Sequence, residues 1–422
     1  MTARLHTLSN GVRVVCDPMP GLESAALSVV VRGGARWEDP ARNGWSHLLE
    51  HMVFKGAGPR SAREIVEAVE AEGGHVNAAT GYERTSFQVR CLREGLALGM
   101  EVAADLVRHP TLDAGDLVRE VDVVGQEIAE AADTPDDRVF DLAQSTAFAG
   151  QALGRPILGT PDSIGAATRE TLAAYHAGLY AADRLVVSAA GAVDEDALLT
   201  LADRHFGDAR APARALAEPE PARFAGGGQA ETRRLEQAHL VVLTPGVGAR
   251  DPDYFAFRLF AEILGGGMSS RLFQSAREER GLVYAIDAYS ESYEDVGLLG
   301  VYAACAAENA AETARLTATE AIKLAAGVTP AELARAKAQA KAQLFMAREA
   351  PLARAEQAAG QAHLFGRPYA PAEIAAAIDA VSSADLVRVG ERALGSGEAT
   401  VVVLGPKRAA AAVEAFRAGL GG

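Results

Sequence analysis

The sequence predicts an α+β protein made of two similar halves. Three observations carry that reading. The chain has 422 residues, too many for one small core. Strand-like and helix-like hydrophobic patterns follow one another in the same order twice, at a spacing of about 220 residues. Between the two runs, residues 208–230 crowd Ala, Pro, Glu and Gly together and close on Gly226-Gly227-Gly228, a composition that buries no continuous face and reads as a linker. The expected division is therefore a first domain over 1–207, a linker over 208–230 and a second domain over 231–422.

In the first half, residues 1–20 alternate polar and apolar around Asn10-Gly11, which reads as a β-hairpin rather than as a signal peptide. Strands are expected at 11–16 and 25–32, then helices at 44–54 and 62–72, then paired strands at 75–79 and 85–92. Ala/Leu/Glu-rich helices follow at 95–108, 114–132, 136–149 and 169–179. A strand at 185–190 and a helix at 195–204 close the half. The second half repeats the order with strands at 231–235 and 239–243, helices at 254–264 and 270–280, and strands at 283–290 and 297–304. Helices follow at 310–326, 330–347, 353–364 and 384–394, then a strand at 400–404 and a helix at 409–418.

Composition excludes several classes of function. Hydrophobic residues at 49% and charged residues at 23% describe a globular chain. A formal charge of −15 gives no counterion-release gain on DNA or RNA, so no nucleic-acid partner is expected. No stretch approaches the roughly 20 apolar residues of a membrane span, so no membrane partner is expected either. Cys16, Cys91 and Cys305 are far apart and form no Cys-x-x-Cys pair. Buried thiols in a reducing compartment, with a cytoplasmic location, follow from that spacing.

The sharpest local signal is His47-Leu48-Leu49-Glu50-His51. On a helix, positions four apart lie about 40° apart around the axis, so His47 and His51 project side by side and can grip one ion. Glu50, about 60° round from His47, can reach a water at the metal without being a ligand. Imidazole nitrogens favour zinc over magnesium or calcium. The five residues match the inverted zinc-peptidase motif. A third ligand is required, and the helix over 114–132 offers Glu120, Glu127 and Glu130, among which spacing does not choose. His75, His109 and His176 qualify on residue type alone.

The segment His47–Gly56 resembles the zinc helix of the pitrilysin-type (M16) metallopeptidases, which include insulin-degrading enzymes and mitochondrial processing peptidases. That family places a glutamate ligand well after the second histidine, at a separation that Glu127 meets (127 − 51 = 76 residues). Glu120 to Ile128 is similar to the family pattern Glu-Arg-x-Val-x-x-x-Glu-Ile, with Val121 in place of the Arg. The resemblance implies a zinc site of His47, His51 and Glu127, with Glu50 as general base and Glu120 as an outer carboxylate important to activity. Gly73-Gly74-His75-Val76-Asn77-Ala78-Ala79-Thr80 is similar to the family strand that pairs with substrate backbone, so Asn77 and Ala78 are expected on a peptide-binding edge.

In the second half, Gly265-Gly266-Gly267 lacks the lysine and spacing of a phosphate loop. With Ser270-Arg271-Leu272-Phe273 and Arg280-Gly281-Leu282-Val283-Tyr284 it resembles the M16 segment whose Arg and Tyr hold substrate and the developing oxyanion, here Arg277 and Tyr284. The region 254–264 holds no histidine, so only one copy carries the metal. The resemblance implies two α/β-sandwich domains, each a mostly antiparallel sheet covered by helices, enclosing a cleft. It further implies one Zn2+ per chain, hydrolysis of peptides or unfolded segments bound as an extended strand, and a homodimer, with a heterodimer of related subunits as the other assembly. The competing readings are a non-catalytic M16-like scaffold or partner subunit, and a metal-dependent hydrolase of another substrate.

Overall fold

A computed structural model describes residues 3–211 and 216–420, so 212–215 of the expected linker lie outside the described residues. In chain order the elements of the first half are β1 Arg4–Thr7, β2 Arg13–Pro18, β3 Ser24–Arg32, α1 Trp45–Val53, β4 Gly56–Ala57, β5 Arg60–Ser61, α2 Ala62–Ala71, β6 His75–Thr80, β7 Arg84–Leu92, α3 Leu96–Arg108, α4 Ala114–Asp133, α5 Pro135–Ala147, α6 Pro161–Gly165, α7 Arg169–Leu179, β8 Leu185–Gly191 and α8 Glu195–Phe206. The second half runs β9 Gly227–Thr232, β10 Ala238–Val247, α9 Tyr254–Gly265, β11 Val283–Ser292, β12 Val296–Cys305, α10 Ala310–Ala326, α11 Pro330–Ala347, α12 Pro351–Phe365, α13 Pro371–Ala380, α14 Ser383–Leu394, β13 Thr400–Gly405 and α15 Ala412–Leu420.

Among the described residues β4 and β5 pair by themselves, and the two large sheets have the orders β1-β2-β8-β3-β7-β6 and β11-β12-β10-β13-β9. The two orders are the same pattern once β1 is set aside. In each, one neighbouring pair is parallel, β2 with β8 and β9 with β13, and the other pairs are antiparallel. Matching strands start 227 − 13 = 214, 238 − 24 = 214 and 400 − 185 = 215 residues apart, so the repeat is slightly shorter than the spacing read from the sequence.

The first sheet shows why its strands read as unbroken apolar runs. Along β2 and β3, Val14, Cys16, Val29 and Val31 join a core built with Leu48, Leu49, Met100, Leu106, Leu172 and Leu198, while the alternating Val15 and Val30 join Val186 on the other face. A strand with both faces covered loses its polar alternation. The second face is closed by Ala358, Ala359 and Ala362 of α12, whose small side chains let that helix lie close on β3, β8 and β2.

That packing corrects the expected domain division. The chain separates into one unit of Met1–Ile128, Pro156–Pro219 and Leu344–Ile374, and another of Ala129–Arg155, Glu220–Gln343 and Ala375–Gly422. Helix α12, placed by sequence order in the second domain, covers the first sheet. Helix α5, placed in the first domain, packs on β13, β10 and β9 of the second sheet. The two are matching copies (351 − 135 = 216), so each half lends one helix to the other's sheet. Polar anchors fix α12: Arg354 Nε donates to Asp17 Oδ2 at 2.7 Å, Arg13 Nη1 donates to Ala362 O at 2.5 Å, and Gln88 bonds to Glu356.

Two smaller expectations are also corrected. The strand expected at 231–235 is β9, which starts at Gly227 inside the expected linker because β13 supplies a parallel ladder from Thr400↔Gly227 onward. A Cβ on Gly228 would lie 2.7 Å from Val413 of α15, so glycine here serves close packing rather than linker freedom. The helix expected at 270–280 includes a π-helical stretch, Phe273–Glu278. No helix among the described residues is long and apolar enough to cross a membrane.

Candidate metal centre

Helix α1 is amphipathic in a way that presents its motif. Trp45, Leu48, Leu49, Met52 and Val53 form the buried stripe, which leaves His47, Glu50 and His51 on the opposite side. Helix α4 places Leu117, Glu120 and Val124 on its buried stripe, and Glu127 continues the same three-and-four spacing. Glu120 and Glu127 therefore share one face of α4, and both reach the histidines of α1.

Three atoms converge. Glu127 Oε2 lies 3.7 Å from His47 Nε2 and 3.6 Å from His51 Nε2. Among the described residues, His47, His51 and Glu127 form the group with metal-ligand geometry. Ligands at about 2.0–2.2 Å from a tetrahedral zinc stand roughly 3.3–3.6 Å from one another, so Glu127 stands from each histidine at about the separation that one shared ion requires. Burial, then the neighbouring His51, pushes the His47 pKa down to about 4, which keeps its imidazole neutral as a metal requires.

Outer contacts orient His51. Its Nδ1 is 3.2 Å from Glu120 Oε2, and Lys55 Nζ donates to Glu120 Oε1 at 2.7 Å. With Nδ1–H donating to the carboxylate, Nε2 keeps its lone pair for the group formed with Glu127. His47 has no such support: its Nδ1 is buried without a hydrogen-bond partner. Burial raises the Glu50 carboxyl above its ordinary range, against hydrogen bonds from Thr80, and Oε2 of Glu50 is left without a partner.

Thr80 ends β6, the outermost strand of the first sheet on that side, and its hydroxyl stands 3.5 Å from Ser46 O of α1. The strand with Asn77 and Ala78 thus passes beside the motif helix. Asn77 is exposed and Ala78 is buried, as alternation along an edge strand requires.

The remaining candidates fall elsewhere. Glu130 is exposed and outside the ligand group. His75 and His109 are exposed, and His176 Nε2 bonds to Val107 O at 2.8 Å. Arg277 and Tyr284 belong to the second unit. Arg277 lies in the π-helical stretch with its guanidinium 4.9 Å from the centroid of the Phe273 ring, and Tyr284, on the edge strand β11, is 61% exposed.

Three contributors were missed in the sequence. Lys55 carries no signal apart from proximity to the motif, and Thr80 closes the strand segment similar to the family's, which marks the strand but not a contact with Glu50. The third is Glu38. Its Oε2 accepts from Gly44 N–H at 2.7 Å, and its Oε1 accepts from Ser46 N–H at 2.7 Å. A helix that starts on glycine without a side-chain cap, as α1 does, is the signal that could have prompted a search for an acidic residue upstream.

The chain is similar to known proteins over nearly its whole length. Residues 13–161 match the family described as insulinase (peptidase family M16), and 166–340 match the peptidase M16 inactive domain. An uncharacterised zinc protease of Rickettsia bellii is 34% identical over 405 residues, covering 94% of this chain and 96% of its own. The mitochondrial-processing peptidase subunit beta of Lentinula edodes is 33% identical over 405 residues, covering 92% and 87%. The crystal structure of a protease from Helicobacter pylori has the same fold, with a TM-score of 0.88 at 21% identity over 96% of this chain and 99% of that one.

Proposed function

Because the chain belongs to peptidase family M16, we propose that it is a zinc-dependent endopeptidase acting on peptides or unfolded segments bound as extended strands. The observation that carries this reading is the convergence of His47 Nε2, His51 Nε2 and Glu127 Oε2, with Glu50 on the same helix. Those three residues would hold the ion. Zinc, when bound, supplies Lewis acidity and eases ionisation of the attacking water. Glu50 takes the proton of that water and returns it to the departing amine as the peptide bond breaks. Its half-buried position and raised proton affinity suit both transfers. Glu120 fixes the His51 ring through Nδ1. The free edge of β6 at Asn77 and Ala78 receives the peptide by main-chain hydrogen bonds, which bind with little regard to side chains.

Arg277 and Tyr284 we assign to holding substrate, since guanidinium and phenol hydrogens suit an anionic oxygen. The family description of the second half as an inactive domain accords with α9, which holds no histidine. A homodimer working on peptides in the cytoplasm completes the proposal. Support for a reducing compartment comes from Cys16, Cys91 and Cys305, all free and buried, with thiols pushed up to about 11 by burial. Light scattering that finds only an active monomer removes the dimer.

The decisive test pairs wild type with Glu50→Gln. Metal analysis should find one zinc per chain in both. A mixed peptide library read by mass spectrometry should show cleavage by wild type alone, abolished by a chelator. Cleavage by E50Q at the wild-type rate refutes the mechanism. Absence of bound zinc in wild type restores the non-catalytic scaffold reading.

A further inference from the structure

We propose that Glu38 is a positioning residue for the metal site: its buried carboxylate anchors the start of α1 and so sets where His47 stands.

The first N–H groups of any helix lack partners within it, and a Ser, Thr, Asp or Asn at the cap usually supplies one. Helix α1 has no such residue. Its cap is Gly44, at φ 89° in the left-handed region, with no side-chain hydrogen bond. Nor is a capping side chain admissible there. A Cβ on Gly44 would lie 2.6 Å from Leu158 O and 2.7 Å from Gly159 Cα, because the loop at 158–159 runs against it. The cap therefore comes from outside the helix. Glu38 stands at the end of a short 3-10 turn, is 4% exposed, and spreads its two oxygens over Gly44 N–H and Ser46 N–H, while Asn43 Nδ2 donates to Oε2 at 3.2 Å. A carboxylate at this end also suits the helix dipole.

The start of α1 is held at further points around this carboxylate. The Trp45 indole N–H donates to Ser163 O at 2.9 Å, and Ser46 Oγ pairs with Tyr175 OH at 2.7 Å. Glu38 is the member of this clamp that binds the backbone of the helix itself.

The consequence differs between the two histidines. His51 is steered by Glu120 through Nδ1, so it has a local guide. His47 Nδ1 has no partner. Its ring is placed by its backbone, one residue beyond the Ser46 N–H that Glu38 holds. Loss of the carboxylate should let the first turn fray and move His47 away from Glu127 while His51 stays.

This inference rests on the zinc reading above, and its test separates the two. Zinc affinity is measured on full-length chains by competition with a chromogenic chelator, and the Co2+-substituted proteins are compared by visible absorption. The variants are Glu38→Ala, Glu38→Gln and, as a control, Val186→Ala, which opens a cavity in β8 of the same unit on the face covered by α12 rather than on the face that joins the core of α1. E38A should bind zinc about tenfold or more weakly, in the range found for outer contacts of metal ligands, and its cobalt spectrum should change. E38Q keeps one acceptor oxygen and should fall between E38A and wild type; it carries the test if E38A does not fold. V186A should lose stability yet keep zinc affinity and spectrum. If wild type binds zinc and both Glu38 variants match it, or V186A weakens zinc equally, the positioning role is wrong. If wild type binds no zinc, both readings fall.

Discussion

Replacing Asp17 by Ala should cost the first unit about 3–5 kcal/mol, the range for breaking a buried ion pair from one side. The carboxylate is 1% exposed and grips Arg354 of α12 with both oxygens; Arg354 is 12% exposed, and Arg348 lies 3.8 Å away. In D17A two guanidinium groups stay in a poorly solvated place without their counter-charge. Arg354→Ala should cost less, because Arg348 remains to face Asp17. The double variant should cost clearly less than the sum, since it leaves neither carboxylate nor Arg354 stranded. The assay is built into the chain: its two tryptophans, Trp37 and Trp45, both belong to the first unit, so tryptophan fluorescence in urea follows that unit alone. With a typical slope of about 1–3 kcal/mol per molar, D17A should move the midpoint down by about 1 M or more. A shift under about 0.3 M, or strictly additive costs, would show that the pair does not hold α12 in place.

Three other expectations use the same chemistry. Glu120→Gln should lower zinc affinity or kcat by about 10–100-fold by freeing the His51 ring, measured by chelator competition and peptide cleavage; unchanged values would remove Glu120 from the site. Tyr284→Phe should lower kcat by about 10²-fold with KM little altered, as loss of an oxyanion donor does, and a pure KM effect would contradict that role. His363 of α12 is half-buried, accepts from Arg13 Nη2 at 2.7 Å, and has its pKa held down to about 3 by desolvation and then by Arg13. Its folded form resists protonation while the unfolded form takes a proton near 6.5. Stability present above pH 6.5 is therefore lost as pH falls from 6.5 toward 3, by at most about 5 kcal/mol (6.5 − 3 = 3.5 units). His363→Gln should flatten that slope in fluorescence-detected unfolding, and an unchanged slope would assign it to other groups.

The metal helix was readable because its stripe at 45, 48, 49, 52 and 53 leaves 47, 50 and 51 on one side, and periodicity reports sides well. Helix α4 was readable as a helix, but spacing alone left three glutamates open. Only the resemblance to the M16 pattern singled out Glu127, and the convergence of atoms now sets it beside both histidines. The exchange of α5 and α12 was not readable at all. A hydrophobic face states that a helix will be covered, not which sheet covers it, and the linker composition pointed to sequence neighbours. Glu38 escaped because caps are sought next to the helix, whereas this one reaches Gly44 from six residues upstream. The π-helical stretch at Phe273–Glu278 has the same apolar spacing as an ordinary helix start, so no local rule announces it.

The borrowed helix imposes an order of events on synthesis. Strand β8 completes the first sheet at residue 191, but the helix that covers Val15, Val30 and Val186 ends only at residue 365. The interval is 365 − 191 = 174 residues, which at about 5–20 residues per second leaves that apolar face open for roughly 9–35 s. A nascent chain of this protein must therefore carry a half-covered sheet while 174 of its 422 residues are made. Stopping synthesis at the linker yields a sheet without its lid, prone to aggregate or to be held by a chaperone, and not a working metal domain.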